Sequence, residues 1–275
     1  MHEQNISFIG GGNMAHSLIG GLIADGVPAG RLTAAEPDEN RREALAERFG
    51  IRCHANNRDA ASGADVVVLA VKPQVMATVV GDISDIVAAA SPLLISIAAG
   101  IRVADIERWT GAAPAVVRVM PNTPALLGCG ASALYANKGA SAAQRETAES
   151  ILRAVGVALW VKNEQLLDPV TAVSGSGPAY FFLLMELIQD EGVRLGLPPD
   201  VARVLTLQTA LGAARMALES EESLADLRKR VTSPGGTTAA AIERLSVPEF
   251  RNTVAQAVAA ACRRAGELAD EFGNA

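Results

Sequence analysis

The sequence predicts an α/β fold in its first part, a doubly wound and largely parallel sheet, followed by an all-α domain. Short β-branched runs alternate with helical patterns up to about residue 160. A glycine-rich turn joins the first run directly to a helix. Beyond Leu166 the strand signals stop and long helical stretches take over. At 275 residues the chain is long for one hydrophobic core and comfortable for two. The domains are therefore expected at residues 1–163 and 164–275.

The runs at residues 6–9, 32–35, 66–71, 93–97 and 115–119 are apolar on both faces, as strands of a parallel sheet covered by helices must be. A further strand pair at 131–135 and 157–161, around a helix over 142–155, completes this domain. The second domain reads as helices over 178–195, 199–219, 224–231, 237–245 and 248–272. The stretch from Ala179 through Phe181, Phe182 and Leu183 to Met185 has no polar face, and such a helix must be buried. About 110 residues bury so much apolar surface poorly alone, so an intertwined homodimer through this domain is expected. The alternative is a larger monomeric core packed on the first domain.

Apolar residues make up 49% of the chain but aromatics only 4%, a composition of Ala, Val, Leu and Ile that suits packed helices and buried strands. The net charge of −6, scattered along the chain, offers no basic footprint for nucleic acid. Cys53, Cys129 and Cys262 lie far apart without paired spacing, which reads as reduced thiols of a cytoplasmic protein, with neither a disulfide framework nor a metal site. A strand starts almost at the N-terminus, leaving no room for a cleavable leader. The longest apolar run, 178–185, stops at Glu186 and is too short to span a membrane.

The first strand runs into Gly10-Gly11-Gly12-Asn13-Met14-Ala15 and then a helix. In this strand-turn-helix setting G-x-G-x-x-A is the signature of a Rossmann-type dinucleotide-binding domain. Gly10 permits the tight turn, Gly12 lets a pyrophosphate approach the backbone, and Ala15 lets the helix pack closely on the strand. A glycine-rich turn without a ligand is the competing reading. Glu36 ends the second strand at the distance expected of a ribose-binding acid, favouring NADH. Arg41 and Arg42 follow it and leave NADPH open as phosphate clamps, or else form a solvated helix face. Ala70-Val71-Lys72-Pro73 and Ala98-Ala99-Gly100 close two further strands and should border the cofactor, with small residues leaving room for a nicotinamide ring. Ordinary strand-to-helix turns are the alternative for each.

Function has to come from the second domain. Ser174-Gly175-Ser176-Gly177-Pro178 precedes the apolar helix, with Pro178 suited to a first turn, and also reads as small residues that let a helix bend. The stretch from Thr232 through Ser233, Pro234, Gly235, Gly236 and Thr237 to Thr238 sets flexible backbone and hydroxyls ahead of a helix. Its free amides suit a substrate carboxylate, or are capped by Ser233 or Thr237. His2, His16 and His54 all fall in the first domain, and Lys229 is the only lysine of the second. A β-hydroxyacid dehydrogenase would carry a catalytic lysine on the helix that here begins Ala179-Tyr180-Phe181. Reduction of a carbonyl wants a tuned acid or base, whereas a protonated cyclic imine needs little beyond positioning and a hydrogen bond.

Six segments in order carry a resemblance over nearly the whole chain: Phe8-Ile9-Gly10-Gly11-Gly12-Asn13-Met14-Ala15, Val71-Lys72-Pro73, Ser96-Ile97-Ala98-Ala99-Gly100, Met120-Pro121-Asn122-Thr123-Pro124, Val173-Ser174-Gly175-Ser176-Gly177-Pro178-Ala179-Tyr180 and Ser233-Pro234-Gly235-Gly236-Thr237-Thr238. The chain resembles the pyrroline-5-carboxylate reductases. The resemblance implies NAD(P)H-dependent reduction of L-1-pyrroline-5-carboxylate to L-proline in proline biosynthesis. It further implies that Ser233, Gly235, Gly236, Thr237 and Thr238 hold the substrate carboxylate, that Thr238 bonds the ring nitrogen, and that Glu221 lies near the same pocket. Asn57 would touch the adenosine ribose, beside cofactor-binding Gly10, Gly12, Asn13, Met14 and Ala15. A dimer of exchanged helical domains, often gathered into a decamer, is implied as well. Many relatives carry a Lys-Asp pair where this chain reads Arg228-Lys229-Arg230, which leaves the charge around the substrate open. A reductase of the six-membered homologue and a non-catalytic nicotinamide sensor are the alternatives.

Overall fold

A computed structural model describes residues 3–273, so His2 lies outside the described residues. The strands are β1 Ile6–Ile9, β2 Leu32–Ala35, β3 Arg52–His54, β4 Val66–Leu69, β5 Leu93–Ser96, β6 Val116–Met120, β7 Gly130–Ala136 and β8 Gly156–Trp160. They form one eight-stranded sheet in the order β3-β2-β1-β4-β5-β6-β7-β8. All neighbours are parallel except β6 and β7. The helices are α1 Asn13–Ala24, α2 Glu39–Phe49, α3 Asn57–Ala61, α4 Met76–Asp82, α5 Ser84–Ala90, α6 Val103–Thr110, α7 Ala142–Arg153, α8 Leu167–Val170, α9 Gly177–Arg194, α10 Pro199–Glu219, α11 Leu224–Arg230, α12 Thr237–Leu245 and α13 Pro248–Gly273.

The central strands feed two cores because successive side chains point to opposite faces. Ile6 and Phe8, with Val66 and Val68, pack under α1, α2 and α7, while Ile9, Val67 and Leu69 pack under α3 to α6. Ala15, Leu18, Ile19 and Leu22 recur at helical spacing and bury one face of α1 on the first core. The strand β3 was not foreseen: Arg-Cys-His has no apolar run, and pairing with β2 at the sheet edge decides it. Burial pushes the Cys53 thiol up on this strand, opposed by the Arg42 charge.

The chain divides into one compact unit of Met1–Ser176 with Ala260–Ala275 and a second of Gly177–Ala259. By contacts, residues 164–176 and the end of α13 belong with the sheet. The second unit is helical throughout, with α9 packed on α10. Its apolar helices are exposed in the single chain, with Phe182 65% exposed, Leu187 58% and Val204 62%, the surface that the expected homodimer would cover.

The helical run Glu164–Arg194 is 31 residues long and, by length and composition alone, apolar enough to cross a membrane. The shorter estimate from sequence counted only consecutive apolar residues, whereas helical geometry continues past Glu186 and back through residues 164–177. Among the described residues no cluster of His, Cys, Asp and Glu could hold a metal, and the three cysteines are free.

Candidate active site

In the first unit the strand order runs outward in opposite directions from β1 and β4, so the carboxyl ends of these two strands form the switch point where α/β sheets bind ligands. Gly10 follows β1 there at φ +102°, with its amide bonded to the Ala35 carbonyl at 2.9 Å. A Cβ on Gly10 would stand 2.7 Å from the Ala70 carbonyl oxygen, so no other residue fits. Gly12, at φ −74°, begins α1 with no capping side chain, and nothing lies within 4 Å of where its Cβ would stand. An uncapped N-terminus of a 12-residue helix, beside a glycine that leaves open space, fits a pyrophosphate. His16, edge-on to Phe49 at 4.7 Å, has its pKa pushed down by burial and by Arg48.

Glu36 ends β2 at this same edge but is only 6% exposed. One carboxylate oxygen accepts from the Gly11 amide at 3.1 Å and the other from the Asp38 amide at 3.1 Å. The acid therefore braces the glycine-rich turn as well as bringing negative charge to it. Arg42 donates to the Glu36 and Pro37 carbonyls at 3.0 and 3.2 Å, which ties its guanidinium to the strand end, while Arg41 is exposed on α2. Asn57, the first residue of α3, has its amide nitrogen 3.4 Å from Asp82.

Ala70 continues β4, its amide bonded to the Ile9 carbonyl at 2.8 Å, and Lys72 beyond it is exposed. Past β5, the expected open space is narrower than three small residues suggest. Ala98 is buried, Ala99 is exposed, and the space beside Gly100 is filled by the end of α13.

Residues 171–175 form a π-helical turn inside the run from Glu164, with the Ser176 amide bonded to the Thr171 carbonyl at 2.8 Å. Pro178 thus sits within a continuous helix rather than at a free start, and its missing N–H would leave the Ser174 carbonyl without a partner. The Asn122 side-chain amide supplies that partner at 3.1 Å, and its oxygen accepts from the Ala131 amide at 2.8 Å. Sequence reasoning gave Asn122 no role of its own.

In the second unit Ser233, Gly235, Gly236, Thr237 and Thr238 come together at the start of α12. The Gly236 amide bonds the Ser233 carbonyl at 3.0 Å, and Gly235 turns at φ +69°. Gly236 is the N-cap and makes no side-chain cap bond. The capping role open to Ser233 or Thr237 is therefore not taken up, and the first amides of α12 are left for another acceptor. Thr238 is half-buried at the second helical position. Glu221 is exposed between α10 and α11, and among the described residues no hydrogen bond joins it to this turn. The basic end of α11 is matched by acids the sequence reading overlooked: Lys229 meets Asp226 at 3.3 Å and Arg230 meets Glu222. Ser223 and Lys229 hold the Asp226 carboxyl below its ordinary range.

Comparison with known proteins covers both units. Residues 164–268 match the family described as pyrroline-5-carboxylate reductase dimerisation, and residues 5–100 match that described as NADP oxidoreductase, coenzyme F420-dependent. The pyrroline-5-carboxylate reductase of Pseudomonas aeruginosa is 54% identical over 276 residues, spanning 100% of both chains. A solved pyrroline-5-carboxylate reductase from Coxiella burnetii is 46% identical, with a TM-score of 0.92 over 96% of this chain and 98% of that one. The Plasmodium falciparum pyrroline carboxylate reductase, solved with NADP bound, is 30% identical, with a TM-score of 0.86 over 98% and 99% of the two chains. Similarity at this level runs from the glycine turn at β1 through the uncapped start of α12, and so the chain belongs to the pyrroline-5-carboxylate reductase family.

Proposed function

We infer that this protein reduces L-1-pyrroline-5-carboxylate to L-proline with NAD(P)H, the reductive step of proline biosynthesis. The observation that carries the reading is the uncapped start of α12. Two glycines bring open backbone to it, and among the described residues no side-chain cap bond takes up its amides. Ser233, Gly235, Gly236 and Thr237 hold that carboxylate, while the Thr238 hydroxyl bonds the ring nitrogen and Glu221 borders the pocket. When bound, NAD(P)H supplies a hydride to the imine carbon. The protonated imine nitrogen becomes the amine and keeps its proton, so no buried acid is required.

Gly10, Gly12, Asn13, Met14 and Ala15 receive the pyrophosphate, and the segments Ala70 to Pro73 and Ala98 to Gly100 border the cofactor. Asn57 contacts the adenosine ribose. The Glu36 charge beside the turn supports NADH over NADPH, because a 2′-phosphate would meet a carboxylate. The exposed apolar faces of α9 and α10 support a homodimer through the helical unit, with a decamer as the larger assembly. The net charge of −6 supports no nucleic-acid partner, and three free cysteines support the cytoplasm.

The test mixes purified protein, racemic pyrroline-5-carboxylate and either NADH or NADPH, following loss of absorbance by the reduced cofactor. Turnover is expected. None with either cofactor would leave a nicotinamide-binding sensor, and preference for the six-membered imine acid would shift the substrate by one methylene.

A further inference from the structure

We propose that Phe272, in the last turn of α13, is a positioning residue for the dinucleotide. This rests on the cofactor reading above and assigns a role to a segment far in sequence from the dinucleotide signature. Residues 260–273 of α13 belong to the sheet-bearing unit, where Ala265 and Ala269 are buried and Phe272 packs on the core beneath α4 and α6. The contact falls on the turn after β5. A Cβ on Gly100 would stand 3.0 Å from the Phe272 ring and 3.4 Å from the Ala269 amide nitrogen. Gly100 itself is at φ +77°, which an L side chain resists. The turn that presents Ala98 and Ala99 at the sheet edge is therefore backed by the ring of Phe272.

Polar contacts hold this helix end in register. Arg102 meets Asp270 at 2.7 Å, and Arg108 donates to the Gly273 carbonyl while meeting Asp105 at 3.0 Å. Asp105 also accepts from the Arg102 amide at 3.1 Å, at the first turn of α6. Arg102, Asp270 and Arg108 are open to solvent, so their pairs contribute little individually, while the Asp105 carboxylate is buried. They fix where the ring sits, and the ring fixes the turn. A side chain that supports the wall of a binding site acts through geometry, and loosening such a wall weakens the ligand without touching it.

The experiment compares wild type with Phe272→Ala and Phe272→Leu. It measures NADH affinity by fluorescence titration at a temperature where circular dichroism shows each protein folded, together with the KM for pyrroline-5-carboxylate. Phe272→Ala is expected to raise the NADH Kd by about five- to twentyfold and leave the KM for the imine acid unchanged. Phe272→Leu, which keeps part of the apolar bulk, should give a Kd between those of wild type and Phe272→Ala. An unchanged NADH Kd in folded Phe272→Ala overturns the proposal. So does an equal rise in NADH Kd and substrate KM, which would mark general loosening. If Phe272→Ala does not fold, the Leu variant decides: an intermediate Kd supports the proposal and a wild-type Kd overturns it. Failure of the wild type to bind either nicotinamide cofactor would refute the cofactor reading itself, and this inference with it.

Discussion

Two glycines two residues apart should fail in opposite ways when given a methyl group. At Gly10 a Cβ would be 2.7 Å from the Ala70 carbonyl oxygen and 2.9 Å from Val71, at a φ of +102°. Positive φ in a residue with a Cβ costs about 1–2 kcal/mol, and the backbone clash adds to it, so Gly10→Ala should destabilise by about 2–4 kcal/mol. For a unit of this size that lowers the melting temperature by roughly 5–15 °C. At Gly12, φ is −74° and nothing lies within 4 Å of the added methyl. Stability should change by less than about 1 kcal/mol, the range for an exchange at an N-cap. The methyl would instead occupy the approach to the amides of α1, and the NADH Kd should rise ten- to a hundredfold, about 1.4–2.8 kcal/mol. Thermal melts at fixed protein concentration and fluorescence titration with NADH separate the two effects. Wild-type NADH affinity in Gly12→Ala would refute the reading of this turn as the pyrophosphate site, and a Gly10→Ala protein as stable as wild type would refute the packing argument.

Glu36→Gln removes the charge but keeps one acceptor for the two amides that the carboxylate now satisfies. The ratio of NADPH to NADH efficiency should rise about five- to tenfold with a loss of about 1–3 kcal/mol from the orphaned amide. An unchanged ratio would remove Glu36 from cofactor choice. Thr238→Val deletes a hydroxyl that makes no cap bond, so the melting temperature should hold and NADH affinity should survive. Turnover should fall on the order of ten- to a hundredfold, and normal turnover would leave the backbone amides as the substrate contacts. Arg58 hydrogen-bonds Asp85 and holds its carboxyl at about 2, below its ordinary 3.8. Because the folded value is the lower one, the pair stabilises above about pH 4 and is lost as pH falls towards 2. Asp85→Asn should flatten that acid limb slightly, more at low salt than high, and an identical limb in urea melts at each pH would show the pair to be inert.

Much of the architecture could be read from local pattern. Continuous apolar runs located seven of the eight strands, because a strand covered on both faces has no polar residues to hide it. The helices of the second unit were delimited nearly to the residue by proline and glycine at their ends. The glycine turn after β1 and the glycine turn before α12 were visible because backbone that must stay bare needs glycine. Tertiary structure decided what depends on residues distant in sequence. Glu36 was readable as an acid at a strand end, but its bond to Gly11, 25 residues away, turns it into a brace. Asn122 acquires its role only by reaching Ser174 across 52 residues to complete a carbonyl that Pro178 cannot bond. The strand β3 exists through its neighbour, and α13 is shared between two compact units though its sequence is one unbroken helical pattern. Local periodicity reports which face of an element is apolar, as on α9 and α10; which surface that face meets is set by residues distant in sequence, because packing is decided only when the elements come together.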